Sequence, residues 1–565
     1  MGDSIKDRTY DAIVIGSGIS GGWVAKELTE RGLRTLVLER GRDVKHSKDY
    51  PSTNKMPWEF EHGGQMPLED REANPVVNKC YAYGEATSQF FAKDKEHPYV
   101  QEKPFDWIRG YQVGGKSLLW ARQTQRWSDF DFDGPARDGF AVDWPIRYKD
   151  IEPWYTHVEK FAGIAGDKDG LAQLPDGHFL PGYPLNVVEK YFKDSVSKHY
   201  KDRHVISGRC AHLSKPEAIH TEQGRAQCQN RTICERGCPF GGYFSSNATT
   251  IPWAAKTGKL TLRPQAVVHS VIYDENKGKA SGVKVIDAIT KEEIEFFAPV
   301  IFVNAAALNT NLILLNSKSS RFPNGLGNDS GLLGKHVAFH IYRGSVSAEY
   351  EGLRDFTVEG RRPTSGYMPR FRNLQRQETD FLRGYAAGFG AYRSTDQNTD
   401  GVGMELKQNL LNPTPGSWRV SSHIMGETIP KASNFVALDG KKDDWGMPLL
   451  RISMDYDNND EKMILDYFEQ MQEMFTKAGF SNIKTRDSKQ APGLDIHEMG
   501  GVRMGRDPKT SLLNGWNQLH HCKNVYVTDG ACMTSTSTQN PSLTYMAFAA
   551  RSANHAVEEL KKGNL

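Results

Sequence analysis

Three cysteines in the middle of the chain have a spacing that could bind metal. Cys228, Cys234 and Cys238 form the pattern C-x5-C-x3-C, and Pro239 follows the last of them. Closely spaced thiolates before a proline are typical of iron–sulfur ligation, although four ligands are the norm. A zinc site with a nearby histidine, a local disulfide with one spare thiol, and three inert thiols are the alternatives. The remaining cysteines lack ligand spacing and are interpreted as structural: Cys80, Cys210, Cys522 and Cys532.

A histidine near the C-terminus is the best candidate for acid–base chemistry. His497 stands shortly before a pair of glycines at 500–501, and its side chain titrates near physiological pH. Further along, an apolar strand at 525–528 ends in Asp529 and Gly530. A helix is then predicted to begin after Asn540, with Pro541 and Ser542 in its first turn. Its unpaired amides would present a partial positive charge to a bound group.

The N-terminal glycines predict a nucleotide-binding turn. Gly16, Gly18 and Gly21 follow a strand at 10–15 and open a helix. Glu39 ends the second strand, eighteen residues past the last glycine, where it could bind a ribose. Gly16 would make the tight turn, Gly18 would admit a pyrophosphate, and Gly21 would let the helix pack on the sheet. Ser20 and Arg40 adjoin this motif and complete the candidate set.

The elements that must position these residues form a predicted α/β protein. Apolar strands are predicted at 260–262, 267–273, 282–286 and 300–303, and strands dominate 340–456, including 342–347, 418–421 and 434–438. One helix is predicted at 460–478. Nucleotide-binding sequence at both ends with strand-rich sequence between them indicates a chain that leaves one domain and returns to it.

Taken in order, these motifs resemble the glucose–methanol–choline oxidoreductases. The resemblance includes Gly114-Gly115-Lys116-Ser117, Asp143-Trp144-Pro145-Ile146, Ile151-Glu152-Pro153-Trp154-Tyr155, and Ala305-Ala306-Ala307-Leu308-Asn309-Thr310. It implies an FAD-binding domain of Rossmann type built from separated segments, together with an antiparallel-sheet substrate-binding domain. It places the paired active-site positions on His497 and Asn540. The further FAD-binding positions are expected at Gly114, Gly115, Ser117, Val267 and Ala305.

Two departures from the family pattern qualify this expectation. In the pyranose oxidase branch a histidine after the Gly-Gly segment bonds covalently to the flavin, and the similar position here is Leu119. The FAD is therefore expected to be non-covalent. Ala305-Ala306-Ala307 stands where the family often has Ala-Ala-Gly, which leaves the geometry of that turn open.

The resemblance also implies a domain order. We expect FAD-binding segments at 1–155, 246–335 and 491–565, with a long excursion at 42–105. A cap region carrying the three cysteines is expected at 156–245, and a substrate-binding domain at 336–490.

The expected activity is that of an FAD-dependent sugar dehydrogenase. The resemblance is greatest to bacterial gluconate and glucoside dehydrogenase large subunits, and it favours oxidation of the 3-hydroxyl of a glucoside to the 3-keto sugar. His497 would act as the base while Asn540 holds the alcohol oxygen. The alternatives are a gluconate-type or other sugar dehydrogenase, a pyranose oxidase that uses oxygen, and a non-catalytic flavin-binding subunit.

The cysteine pattern is similar to the segment that holds a 3Fe–4S cluster in bacterial FAD-dependent glucose and fructose dehydrogenases. That similarity implies a small subunit and a cytochrome c electron acceptor as partners.

Composition excludes some other classes of protein. The 565 residues carry 71 basic and 69 acidic side chains, a net charge of +2, without a basic run, so no nucleic-acid partner is expected. The sequence shows no membrane segment or export signal of its own. Seven cysteines are too few for a disulfide scaffold, which favours a cytoplasmic location. Co-export with a partner subunit would be a route to the periplasm.

Overall fold

A computed structural model describes residues 8–356, 362–396, 399–412 and 414–565. The strands are β1 (Ala12–Ile15), β2 (Thr35–Leu38), β3 (Val100–Gln101), β4 (Ile206–Ser207), β5 (Leu260–Arg263), β6 (Ala266–Asp274), β7 (Lys279–Asp287), β8 (Glu293–Phe297), β9 (Val300–Val303), β10 (Lys335–Ala338), β11 (His340–Ile341), β12 (Gly344–Tyr350), β13 (Gly366–Met368), β14 (Tyr385–Asp396), β15 (Thr414–Glu427), β16 (Phe435–Lys442), β17 (Pro448–Ser453), β18 (Ser481–Asp487), β19 (Met499–Gly501), β20 (Gln518–Leu519) and β21 (Cys522–Tyr526).

The helices are α1 (Ile19–Glu30), α2 (Leu68–Ala73), α3 (Asp129–Phe132), α4 (Gly134–Asp138), α5 (Tyr148–Ala162), α6 (Val187–His199), α7 (Ala218–Glu222), α8 (Thr250–Lys256), α9 (Ala307–Asn316), α10 (Met404–Leu411), α11 (Asn458–Lys477) and α12 (Ser542–Lys561). Among the described residues, no helix is both long and apolar enough to cross a bilayer.

A six-stranded sheet carries the nucleotide-binding motif. Its order is β20-β21-β9-β1-β2-β5, and β5, β2, β1, β9 and β21 pair in parallel. Every residue of β1, β2 and β9 is buried, which explains why these strands are nearly continuous apolar runs rather than alternating ones. Helices α1 and α12 pack against each other beside this sheet. The sheet unites segments from the two ends and the middle of the chain, which confirms the predicted fold class.

A second, mostly antiparallel layer is built from the middle of the chain. The order of its seven-stranded sheet is β18-β12-β15-β14-β13-β4, with β11 pairing with β15. Helix α11 packs on β12, β15 and β18. It buries Ile464, Tyr467 and Phe475 in a core shared with those strands, in keeping with an amphipathic helix lying on a sheet. The predicted helix at 460–478 and the predicted strands at 418–421 and 434–438 are present.

Two smaller sheets complete the fold. A five-stranded sheet has the order β19-β10-β16-β17-β3, and a hairpin-like three-stranded sheet has the order β6-β7-β8. Strand β4 comes from the segment predicted as the cap region, and it joins the seven-stranded sheet through β13. The domain boundaries remain predictions, but this strand connects the cap segment directly to the second layer.

The excursion at 42–105 contains few regular elements, as predicted. It has helix α2, strand β3 and short 3-10 turns. Tyr50, Phe90 and Phe91 from this segment pack with Leu118 and with the segment before His497. The excursion thereby forms one wall of the candidate site.

Candidate active site

Most of the predicted site residues line one cavity. The cavity extends from the N-terminus of α1 to the N-terminus of α12, and its lining includes Gly16, Gly18, Ser20, Glu39, Arg40, Gly115, Ser117, Val267, Ala305, His497, Asp529, Gly530, Asn540, Pro541 and Ser542. Gly21 and Gly114 lie behind the lining and support it. The three cysteines lie elsewhere, around a separate small cavity.

The first glycine motif has the geometry that its spacing predicts. Gly16 has a φ of +93°, and a Cβ there would lie 2.3 Å from the carbonyl oxygen of Asn304. A Cβ on Gly21 would lie 1.9 Å from the carbonyl oxygen of Gly16, so the helix can approach the turn only without a side chain. Gly18 differs, since a Cβ there would meet nothing within 4 Å. The open space beside Gly18 lies at the N-terminus of α1, where a phosphate would bind.

Glu39 is held firmly at the cavity wall. The backbone N–H and the hydroxyl of Ser17 donate to its Oε2 at 3.1 and 2.6 Å, and the N–H of Gly41 donates to Oε1 at 3.0 Å. Burial raises the pKa of this carboxyl group, while the donors oppose that shift. Oε1 accepts a single hydrogen bond and so retains acceptor capacity, which lets Glu39 still receive a ribose hydroxyl.

Arg40 forms the adjacent part of the wall. Its guanidinium donates to Asp443 at 3.0 Å and lies over the rings of Tyr111 and Trp445.

The second glycine segment packs directly against the first. Gly114 has a φ of +92°, and its N–H donates to the hydroxyl of Ser17 at 3.0 Å. A Cβ on Gly115 would lie 3.3 Å from the Cα of Gly18. Ser117 donates to the carbonyl oxygen of Gly114 at 2.5 Å and accepts from the N–H of Ser246 at 2.9 Å. Its hydroxyl thus shapes the turn.

The structure defines the geometry of the turn that begins α9, which the sequence left open. The positive φ falls on Ala306, at +70°, directly before the helix. Thr310 ties this turn to the C-terminal block, because its hydroxyl donates to Asp529 Oδ2 at 2.5 Å. The N–H of Ala531 donates to Oδ1 at 2.9 Å. Burial raises the pKa of Asp529 to about 6.

His497 and Asn540 lie side by side in the cavity lining. The Asn540 amide nitrogen lies 3.3 Å from Nε2 of His497. Burial lowers the pKa of His497 well below its usual value, and the positive charge of Lys116 adds to this lowering, so the imidazole is neutral near pH 7. Lys116 is itself paired with Glu498 at 3.0 Å. A neutral imidazole beside an amide donor is an arrangement that can accept a proton from a hydroxyl group that contacts both side chains.

Helix α12 starts next to this pair. It begins at Ser542 after Pro541, its first turn contains no acidic residue, and its N-terminus has no side-chain cap. Its unpaired N–H groups and partial positive charge therefore remain available to a group with developing negative charge.

Comparison with known proteins identifies the family. A sequence model described as GMC oxidoreductase matches residues 10–341, and a second with the same description matches residues 430–549. The chain belongs to the GMC oxidoreductase family. It is 26% identical to 2-methyl-1,2-propanediol dehydrogenase from Mycolicibacterium austroafricanum, over 97% of this chain and 95% of that protein.

Other relatives extend this result. The chain is 24% identical to the fructose dehydrogenase large subunit from Gluconobacter japonicus, over 98% of each protein. A formate oxidase structure from Aspergillus oryzae has the same fold, with a TM-score of 0.61 at 14% identity, over 98% of this chain and 99% of that one. GMC oxidoreductases are FAD flavoproteins that act on CH–OH groups, and this chain is accordingly an FAD-dependent oxidoreductase.

The cavity fits the flavin nucleotide. Among the described residues, several buried polar atoms that line it lack a hydrogen-bond partner: Ser20 Oγ, Arg40 Nε, Asn304 Nδ2 and Tyr545 Oη. Buried polar atoms are rarely left unpaired in folded proteins, so these atoms indicate a polar ligand. Together with the open space at Gly18, they mark the residues that could hold FAD.

The three cysteines line one cavity, but their sulfur atoms are not in mutual contact. Cys228, Cys234 and Cys238 line one small cavity with His212, and all three are free thiols. Cys234 Sγ lies 3.7 Å from His212 Nε2. Within the described ranges, three side chains have possible metal-ligand atoms that all lie within 4.8 Å of one another, and these are His340, Asp495 and His497. The sulfur atoms of the three cysteines do not meet this distance. Burial raises the pKa of Cys234 to about 11, so its thiol is protonated near pH 7 unless a cation binds.

Some lining residues were not predicted from the sequence. Tyr342 and Met425 come from the strand-rich middle of the chain, and Arg122 and Gln123 follow the second glycine segment. No motif or spacing marks these residues in the sequence, because single polar or apolar residues in strands and loops occur in any globular protein. His340, which contacts His497 from outside the lining, was not predicted either.

Proposed function

We propose that this protein is a sugar dehydrogenase that oxidises a secondary hydroxyl group, with the 3-hydroxyl of a glucoside as the favoured position and the 3-keto sugar as product. The observation that carries the proposal is the pair formed by His497 Nε2 and the Asn540 amide at 3.3 Å in the flavin cavity. Fructose dehydrogenase, a relative over nearly the full length, supports a sugar as substrate. The position on the ring rests on overall resemblance.

The residues divide the chemistry between them. His497 Nε2 takes the hydroxyl proton, and its lowered pKa keeps it free to do so at neutral pH. Asn540 donates from its amide to the alcohol oxygen and orients it without competing for the proton. The flavin, when bound, supplies the hydride acceptor. The start of α12 can stabilise negative charge that develops nearby.

His497→Ala tests this proposal directly. We expect the variant to keep its FAD and to lose flavin reduction by sugars by about 10²- to 10⁴-fold, the usual contribution of a general base. Anaerobic stopped-flow bleaching of the flavin is the measurement. His521→Ala is the matched control, since His521 lies near Asp329 at 3.8 Å and outside the cavity. Sugar oxidation retained by the His497 variant would refute the assignment.

The substrate and electron acceptor need separate measurements. A panel of glucosides and aldonic acids with an artificial electron dye, followed by product identification, distinguishes the 3-keto product from gluconate-type oxidation. Stoichiometric peroxide with oxygen as sole acceptor would indicate an oxidase. Absence of bleaching by every sugar would indicate a non-catalytic flavin-binding subunit.

A 3Fe–4S cluster at the three cysteines remains part of the proposal. Three thiols around one cavity provide the donor chemistry that such a cluster needs, although the sulfur atoms would have to move closer together. Iron and acid-labile sulfide analysis of anaerobically purified protein tests it, with Cys234→Ser as the variant and Cys522→Ser as the control.

We further propose that electrons pass to a small subunit and a cytochrome c. The name of the fructose dehydrogenase large subunit supports a second subunit, and the cytochrome rests on the resemblance alone. Location in the cytoplasm, or export with such a partner, is proposed with it. A protein that purifies from the cytoplasm as a single soluble chain without a second subunit would contradict the partner proposal.

A further inference from the structure

A second histidine lies directly behind His497. His340, in β11, is completely buried, and its Nδ1 lies 2.9 Å from Nδ1 of His497. The two rings are nearly perpendicular, at 89°. The backbone N–H of His340 donates to Asp495 Oδ2 at 2.8 Å, which fixes the strand against the segment that carries His497.

The other nitrogen of His340 determines where its proton sits. Nε2 lies 3.1 Å from the carbonyl oxygen of Thr536 and 3.0 Å from that of Ser537. Carbonyl oxygens only accept hydrogen bonds, so Nε2 must carry a hydrogen. Burial lowers the pKa of His340 to about 4, so the ring is neutral at pH 7 and has one N–H only. Its Nδ1 is therefore an acceptor.

The contact between the rings then fixes the state of His497. A hydrogen bond between the two Nδ1 atoms needs one proton, and His340 cannot supply it, so it must come from His497. Neutral His497 with a proton on Nδ1 has none on Nε2. The free electron pair is thus on Nε2, the atom beside the Asn540 amide. The amide, a donor, is compatible with that state.

We propose that His340 is a positioning residue that holds His497 in the Nδ1–H tautomer and directs its Nε2 toward the substrate hydroxyl. This inference rests on the proposed function. In the oxidation, the O–H bond breaks and its proton forms an N–H bond at Nε2, while the carbon-bound hydrogen leaves with two electrons as hydride to the flavin. The resulting imidazolium keeps its Nδ1–H bond to His340.

The carbonyl groups that bind His340 are themselves held in place. The hydroxyl of Ser537 donates to Asp131 Oδ1 at 2.7 Å, and Ser537 has a φ of +60°. Lys116, which pairs with Glu498, is the charged group that acts on His497, and Glu427 and Arg370 act on His340. Asp495 has a carboxylate oxygen within 4.8 Å of a ring nitrogen of each histidine.

Three substitutions at His340 separate its polar role from its shape. His340→Phe keeps a ring of similar size and removes both nitrogens. His340→Asn places an acceptor oxygen near the position of Nδ1, and His340→Gln places a donor near the position of Nε2. FAD content and circular dichroism check that each variant folds, and His521→Ala serves again as the control.

We expect flavin reduction to be about 10- to 100-fold slower in His340→Phe, the usual cost of losing a group that orients an active residue. The acid limb of kcat/KM should move to lower pH, because the imidazolium of His497 loses the acceptor for its Nδ1–H. His340→Asn should recover at least part of the rate, and His340→Gln should recover less. In the holoenzyme with ¹⁵N-labelled histidine, NMR should show the proton of His497 on Nδ1, with the His497→Ala spectrum providing the assignment.

The outcomes are decisive in each case. Wild-type rates in both the Phe and Asn variants, equal slowing in both without a change in the pH profile, or a proton on Nε2 of His497 would each overturn the inference. If His497→Ala itself keeps reducing its flavin with sugar, the proposed function fails. If that variant is inactive and the His340 variants behave as wild type, only the role of His340 is refuted.

Discussion

Gly18→Ala should weaken FAD binding while leaving the fold intact. The backbone at Gly18 has φ −67° and ψ −162°, which alanine adopts without strain, and a Cβ there meets nothing within 4 Å. The substitution should therefore leave folding unchanged or stabilise the chain by up to about 1 kcal/mol, because alanine has less freedom in the unfolded state.

The bound state is different, because the space beside Gly18 is where the pyrophosphate is expected. An extra carbon in a filled site costs about 1–3 kcal/mol, which corresponds to a Kd for FAD about 5- to 150-fold higher. Equilibrium dialysis of purified holoenzyme against a series of FAD concentrations, followed by flavin absorbance, measures this change.

Gly21→Ala is the matched comparison for the same motif. Its Cβ would lie 1.9 Å from the carbonyl oxygen of Gly16, so the turn itself must move and the protein should lose both FAD and its native circular dichroism. If Gly18→Ala binds FAD as tightly as wild type does, the phosphate does not approach this turn and the reasoning is refuted.

Three further predictions concern the site and its support. Asn540→Ala should slow flavin reduction by about 10²- to 10³-fold in anaerobic stopped flow, because the alcohol oxygen loses its donor, and FAD content should not change. Glu427→Gln should lower the free energy of unfolding in urea by about 3–5 kcal/mol, because Glu427 is fully buried between Arg370 at 2.6 Å and Arg383 at 2.9 Å. An unchanged urea midpoint would contradict this. Burial lowers the pKa of His423 to about 4, so the unfolded chain binds the proton more readily, and the stability of wild type relative to His423→Gln should fall as pH drops from 6.5 toward 4. A pH-independent difference in urea midpoint would rule this out.

Local sequence patterns were enough to predict the strand–turn–helix unit at the N-terminal end of the chain. A single strand–turn–helix–strand unit contains Gly16, Gly18 and Gly21 and ends at Glu39. Its geometry follows from local backbone preferences and from a close approach that only glycine permits. The apolar strands and a helix at 460–478 were likewise predicted from the sequence, and the helix observed there is Asn458–Lys477. For these features, local patterning and tertiary structure agree.

The candidate active site, in contrast, is assembled only when distant segments of the chain pack together. His340, His497 and the carbonyl groups at 536–537 come from three separate segments, and no spacing in the sequence relates them. Their protonation states depend on burial and on which nitrogen meets a carbonyl oxygen, and both arise only when the segments pack together. Likewise, the cysteine spacing indicated ligands, whereas the distances between their sulfur atoms depend on how the segment folds. Long-range packing, which has no local pattern in the sequence, therefore sets the chemistry of this site.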